Sequence, residues 1–408
     1  MAAYLALLRH RSFLALYLGL TLSQLGDGLA SIAITWAVWK STDSPAMVAI
    51  ALLLQTLPRT LLSFYAGILA DRHPPRRVML AADLVRLLIT LAAAVVGWRG
   101  ALGPWGLVTA GFLLTCASAF FAPARAAVTP RLVAPAELPA ANGLMSGTFL
   151  AARLLGELLG GFLFTAVGAA TLIFLDALTF GVALLAVLQL PSAGTPGRER
   201  LSFGAEVRQG LAAVWRTPAL RWVVGTFAIG TLLAGGAVGV GKTLLVDQFG
   251  VGAGGLGLMS TASGVGVVIG SLLAGRSRLL QLHPARTVML AWAVEGVLVL
   301  LLGFSPSLWV ALAAVFGGGV TTAFLNVPAE SLIQAHGGPH TGKVYSYWTI
   351  SIWLGESVSL AAAGWLFGAL PVGMVFGLMG LALLLLAVAA QRWVWHLRTP
   401  EAPAAPAA

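Results

Sequence analysis

Apolar runs of about 20 residues or more alternate with short polar connections along almost the whole chain. A helix of that length crosses about 30 Å of hydrocarbon at about 1.5 Å of rise per residue. The pattern predicts twelve spanning helices, at roughly 12–39, 46–70, 77–98, 104–122, 139–166, 169–190, 219–246, 254–274, 287–304, 308–332, 342–369 and 372–395. The short alternating strands of a membrane β-barrel are missing from the pattern. The expected fold class is therefore an all-α membrane protein. The longest polar break, residues 191–218, starts as a Pro/Gly/Ser linker and becomes helical near Leu201. Phe203, Val207, Leu211 and Val214 share one stripe there, as in a helix lying at the membrane interface. It joins two expected six-helix bundles, residues 1–190 and 219–396, and residues 397–408 read as a disordered tail.

Composition strengthens this reading. Of 408 residues, 59% are hydrophobic and 9% charged, against about half and about a quarter in a soluble domain. The single cysteine, Cys116, excludes a disulfide within the chain and a cysteine metal cluster. The six histidines fall in or near the polar connections, so no metal centre is expected at membrane depth. The N-terminal stretch does not read as a cleaved signal.

The net charge of +10 is concentrated in particular loops. Arg9, Arg11, Arg72, Arg76, Arg77, Arg125, Arg131, Arg276 and Arg286 fall on one side, and Lys40 and Arg99 on the other. By the positive-inside rule the basic side is cytoplasmic, which places both termini inside. Such loops fit an anionic lipid leaflet, so no nucleic-acid partner is expected.

The two halves share four short segments in the same order. "LADR" (69–72) is matched by "LAGR" (273–276), and "RRVML" (76–80) by "RTVML" (286–290). "APAR" (122–125) is matched by "VPAE" (327–330), and "LLGE" (154–157) by "WLGE" (353–356). Four matches in register imply an internal duplication. A duplicated six-helix unit implies a transporter with a midplane site between its halves.

These residues resemble a known family. Gly67, Leu69, Ala70, Asp71, Arg72, Arg76 and Arg77 are similar to the loop 2–3 signature of the major facilitator superfamily. "SQLGDGL" (23–29), "ADLVR" (82–86), "FFAPARAAVTPRLV" (120–133), "AANGL" (140–144) and "NVPAESLIQ" (326–334) resemble its macrolide-efflux and enterobactin-exporter branch. The resemblance covers nearly the whole chain. It implies two pseudo-symmetric six-helix bundles in a bacterial cytoplasmic (inner) membrane, working by alternating access. It further implies export of an amphipathic small molecule, either drug-like or a siderophore, with the loop 2–3 residues as a conformational latch. Topology anchoring is the plainer role for the same arginines. The chain departs from the family where Pro74 and Pro75 stand in the loop, and where Glu157 replaces the proline of the family's fifth-helix G-P-x-x-G-G pattern. An uncoupled facilitator, an importer and a lipid transporter share the fold and stay open. A membrane sensor or scaffold would need a polar output domain, and 191–218 is the only sizeable polar segment.

Charges inside spans cost about 2.5–3.5 kcal/mol each at a helix centre, so each needs a partner, a wet cavity or a task. Asp27 has Gln24 and Ser31 at helical spacing on its own face. Glu157 and Glu356 hold matched positions, and Arg153 stands one turn before Glu157. A carboxylate that binds and releases a proton is what proton-driven export requires, and a structural ion pair is the other reading of each. Arg125 and Glu330, opposite in sign at matched positions, form either a cytoplasmic gate or pairs within their own halves. Asp83 and Arg86 are spaced to pair locally. Arg59, Asp176, Lys242 and Glu295 receive no role. Trp36, Tyr345, Trp348 and Trp353 are candidates to line a cavity, with lipid-facing or interfacial positions the other reading, the plainer one for at least half of them. Glycine repeats at Gly143/Gly147, Gly156/Gly160 and Gly266/Gly270 predict close helix packing.

"GAVGVGKT" (236–243) spells a phosphate-binding loop, and "GVGAGG" (250–255) a dinucleotide pattern. Both need a strand before them and a soluble helix after them, and both lie among apolar spans. Neither ATP binding nor enzymatic chemistry is expected, and no cofactor. The expected partners are the substrate, protons and the lipid bilayer, with the chain acting as a monomer.

Overall fold

The computed structural model describes residues 7–191, 203–274, 276–277 and 283–394, with some helical side chains left undescribed. The described chain is helical, with no strand. Among the described residues, ten helices are long and apolar enough to span a membrane. They and the helix at Pro45–Arg72 cover all the predicted spans.

We number the helices α1 (Arg11–Thr42), α2 (Pro45–Arg72), α3 (Pro75–Trp98) and α4 (Pro104–Val128). The continuous segment Leu138–Leu188 breaks at Gly168, giving α5 (138–167) and α6 (169–188). Gly168 adopts φ 75°, a left-handed conformation that costs a residue without a Cβ little. The chain thus turns there without a loop. Then come α7 (Phe203–Arg216), α8 (Pro218–Gly230), a π-turn at Thr231–Gly235, and α9 (Ala237–Gln248). The last five are α10 (Gly252–Ala274), α11 (Pro284–Gly303), α12 (Leu308–Gly337), α13 (Thr341–Ala369) and α14 (Val372–Val394).

Sequence sets many of the helix starts. Proline opens α2, α3, α4, α8 and α11, where its fixed φ suits the first turn and its missing N–H leaves nothing unsatisfied. Ser44 adds a side-chain cap on the amide of Met47. Large apolar side chains stay exposed on outward faces, among them Trp365, Leu385 and Leu272. Lipid covers such faces in a spanning helix, whereas water would not tolerate them.

The chain divides into two compact units. Unit 1 holds residues 1–199 with 236–264 and 357–372; unit 2 holds the rest. In unit 1, α1 lies along α5 and α6. The approach is close because Gly28 faces the Arg153 carbonyl and Gly156 faces the Leu25 carbonyl. One end of this unit is sealed by a core of Phe13, Leu16, Met79, Phe121, Met145 and Val187. In unit 2, α11 packs on α12, and Gly266 and Gly270 of α10 meet Phe316 and Val320 of α12. Of the three glycine repeats, Gly156/Gly160 and Gly266/Gly270 sit at helix contacts. Gly143 and Gly147 face open space.

Candidate functional site

The interior of unit 1 gathers charge from three helices. On α1, Gln24 Nε2 donates to Asp27 Oδ2 at 3.0 Å, and Asp27 is half-buried. On α3, Arg86 Nη1 donates to Asp83 Oδ1 at 2.8 Å, and both side chains are out of reach of solvent. On α6, Asp176 is 1% exposed and accepts from the Thr179 hydroxyl at 3.3 Å. Tertiary packing brings the three helices together. Asp176 Oδ1 lies against the backbone of Gly26, the residue before Asp27. The Arg86 guanidinium sits 4.4 Å from the ring centre of Phe180, one turn beyond Asp176, and 5.0 Å from that of Phe121 on α4. Asp27 acts electrostatically on both Asp83 and Asp176.

Glu157 occupies a separate place on α5. Arg153 Nε lies 3.1 Å from Glu157 Oε1, one helical turn away. Lys242 of α9 also acts on Glu157. The carboxylate is therefore flanked by two cations. Glu356 is half-buried on α13, and its backbone borders Gly235 in the π-turn.

The remaining predicted residues lie elsewhere. The side chains of Gly67, Asp71 and Arg72 fall outside the described residues. Arg76 reaches the far end of α6, where its Nε donates to the Val187 carbonyl at 3.3 Å and its Nη2 to that of Leu188. A cation at a helix C-terminus is favourable there. Arg77 is exposed. Arg125 lies 5.4 Å from the ring centre of Phe149, within unit 1. Glu330 accepts from the Tyr345 hydroxyl at 3.3 Å, within unit 2. Trp36 and Trp348 are buried, Trp353 is half-buried and Tyr345 is exposed. Trp348 belongs to an aromatic chain running from Tyr345 through Phe227 to Trp292.

The stretch 236–243 is helical from Ala237 onward, and the Ala237 amide donates to the Ser359 hydroxyl at 3.2 Å, so the segment is a helix start and not a strand-to-helix loop. An open apolar groove of about 510 Å³ runs along unit 1 between α2 and α13, past Ala46, Ile50, Leu53, Gly364 and Trp365.

Sequence reasoning gave Asp176 and Lys242 no role. Both are single charges on apolar runs, and their neighbours come from helices distant in sequence. The available signal was that an uncompensated charge at that depth needs a partner.

The family model that matches nearly the whole chain makes it a transporter of the major facilitator superfamily, and the helical architecture agrees. Within it, the chain belongs to the transmembrane secretion effector family, which matches residues 2–407. It is 26% identical over 351 residues to the lysophospholipid transporter LplT of Photorhabdus laumondii, covering 82% of this chain and 83% of that one. It is 29% identical over 223 residues to the multidrug efflux pump Tap of Mycobacterium tuberculosis, covering 52% of this chain and 53% of that one. Among solved structures it matches a bacterial homologue of the iron transporter ferroportin in an inward-facing state. That match has TM-score 0.74 at 18% identity, with 95% of this chain and 99% of that one covered.

Proposed function

We propose that this protein is a secondary active transporter that exports an amphipathic small molecule against protons moving inward. The observation that carries the reading is Asp27, a half-buried carboxylate on α1 whose described side-chain partner is the neutral amide of Gln24. A carboxylate so placed can exchange a proton during a transport cycle. Glu157 is bracketed by Arg153 and Lys242, and this favours a fixed ion pair over a group that must empty and refill. Glu356 is the second coupling candidate. Export is the direction that the family resemblance implies. The basic loops support a bacterial cytoplasmic membrane with both termini inside. Arg76 and Arg77, with Gly67, Asp71 and Arg72, form the proposed latch, and Arg125 and Glu330 the proposed gate.

A second reading, a lipid transporter, is favoured by the apolar groove between α2 and α13 and by the extent of the match to the lysophospholipid transporter. A single-chain amphiphile suits such a groove.

The test is transport by purified protein in liposomes with an imposed proton gradient. Two substrates are compared, a fluorescent lipophilic cation and a fluorescent lysophospholipid. Gradient-driven movement of the cation, lost in Asp27→Asn, is the expected result. Movement of the lysophospholipid alone selects the second reading. Transport that ignores the gradient removes the coupling.

A further inference from the structure

The Arg86 cluster has an imbalance that pairing does not remove. Asp83 on α3 holds Arg86, whose guanidinium lies over Phe180, one turn beyond Asp176 on α6. Asp176 Oδ1 lies against Gly26, the residue before Asp27 on α1. Among the described residues Arg86 is the cation at this cluster. Three ionised carboxylates against one guanidinium would leave excess negative charge in a low-dielectric interior. Carboxylates so placed take up protons instead of staying ionised.

Hydrogen bonding points the same way. Asp83 is fully buried, and its Oδ2 has no hydrogen-bond partner among the described residues, although Oδ1 holds Arg86. Arg86 Nε is likewise buried and unpartnered among the described residues. An acceptor oxygen left open in this cluster is where an added O–H donor would be favourable, since an unmet buried acceptor costs about 1–3 kcal/mol. Among the described residues, the neutral groups at the cluster are Gln24 on α1, Thr179 on α6 and the rings of Phe180 and Phe121. The Arg153–Glu157 pair on α5 neighbours it through the contact of Gly28 with the Arg153 backbone, and Lys242 of α9 is engaged with Glu157 on that side.

We infer that Asp27 and Asp176 form a proton-binding centre, with the Asp83–Arg86 pair as its fixed counter-charge. The half-buried Asp27 exchanges with water, and the enclosed Asp176 holds the proton. The step is an acid–base exchange. A proton from water adds to a carboxylate oxygen and later leaves from the same oxygen, with no other bond changed. The inference deepens the proton-coupled reading above and rests on it for its place in a transport cycle.

Infrared difference spectra of the purified protein in lipid, between alkaline and acidic buffer, test the centre without requiring transport. The wild type is expected to show a protonated-carboxyl stretch that moves in heavy water. Asp176→Asn should remove a distinct component of it. Asp27→Asn, at the less enclosed member, should keep the fold and shift the pH midpoint of the band. Glu157→Gln should leave the band unchanged. A band intact in both aspartate variants, or lost in Glu157→Gln, overturns the assignment. If the band behaves as expected but liposome transport ignores the proton gradient, the centre stands and the coupled-export reading falls. If transport follows the gradient while both aspartate variants keep the wild-type band, the reading stands and the centre falls.

Discussion

The two halves of the chain share a packing scheme and differ in electrostatics. In "LLGE" and "WLGE" the glycine before the glutamate presses on the opening helix of its own half. Gly156 meets Leu25 and Gly28 of α1, and Gly355 meets Ala228 and Leu232 around the end of α8. The charges do not follow. In the register that sets Arg76 on Arg286, Asp83 falls on Ala293 and Arg86 on Gly296. Where unit 1 holds an ion pair, unit 2 brings two helices together. A Cβ on Gly296 would stand 2.8 Å from the carbonyl oxygen of Gly380. The carboxylate of this region in unit 2, Glu295, sits two residues beyond the position matched to Asp83 and accepts from the Thr321 hydroxyl. A duplicated frame thus keeps its backbone contacts while one copy gains a charged interior, because close packing tolerates few side chains and buried charge needs several partners at once.

The largest effect is expected where the copies differ most. Arg86→Met leaves Asp83 buried without its cation and should destabilise unit 1 by about 3–5 kcal/mol. The loss should appear as a large fall in the midpoint of thermal unfolding followed by tryptophan fluorescence. Asp83→Leu with Arg86→Met removes both charges and should recover half or more of it. A double variant as unstable as the single one would mean that Arg86 serves Asp176 or Asp27 more than Asp83.

The shared frame gives the next size of effect. Gly156→Ala and Gly355→Ala should each cost about 1–3 kcal/mol, since a methyl must displace backbone on the neighbouring helix. Gly296→Ala belongs to the same range. Gly143→Ala, in the same helix as Gly156 but facing open space, should be neutral or stabilising by up to about 1 kcal/mol. Unequal costs at Gly156 and Gly355 would break the claim that the packing is duplicated.

The spans were legible in the sequence because hydrocarbon imposes one length and one polarity on every crossing. The Asp83–Arg86 pair was legible too, since its spacing lies within one helical turn. Asp176 was not. Its neighbours, Gly26 and Arg86, are on helices far away in sequence, and an apolar run around one aspartate carries no sign of which face meets them. The glycine repeats show the same limit. Gly143/Gly147 and Gly156/Gly160 have identical spacing, yet only the second pair meets another helix. Spacing fixes which residues share a face and leaves open what covers it.

The smallest effect is expected at Glu295, and it sharpens the comparison most. Its described partner is a neutral hydroxyl on α12, with Gly318 of the same helix beside its carboxylate. A side-chain amide can accept from Thr321 through its carbonyl oxygen, so Glu295→Gln keeps the contact and should change stability by less than about 1 kcal/mol. Proton-driven transport should stay within about twofold of wild type, whereas Asp27→Asn should abolish it. Both variants remove one ionisable carboxyl from a spanning helix and replace it with the matching amide. If charge matters for transport only where several groups share it, the two must part. A transport loss in Glu295→Gln equal to that in Asp27→Asn would show that unit 2 carries a coupling group of its own, and that the asymmetry between the copies is one of arrangement and not of function.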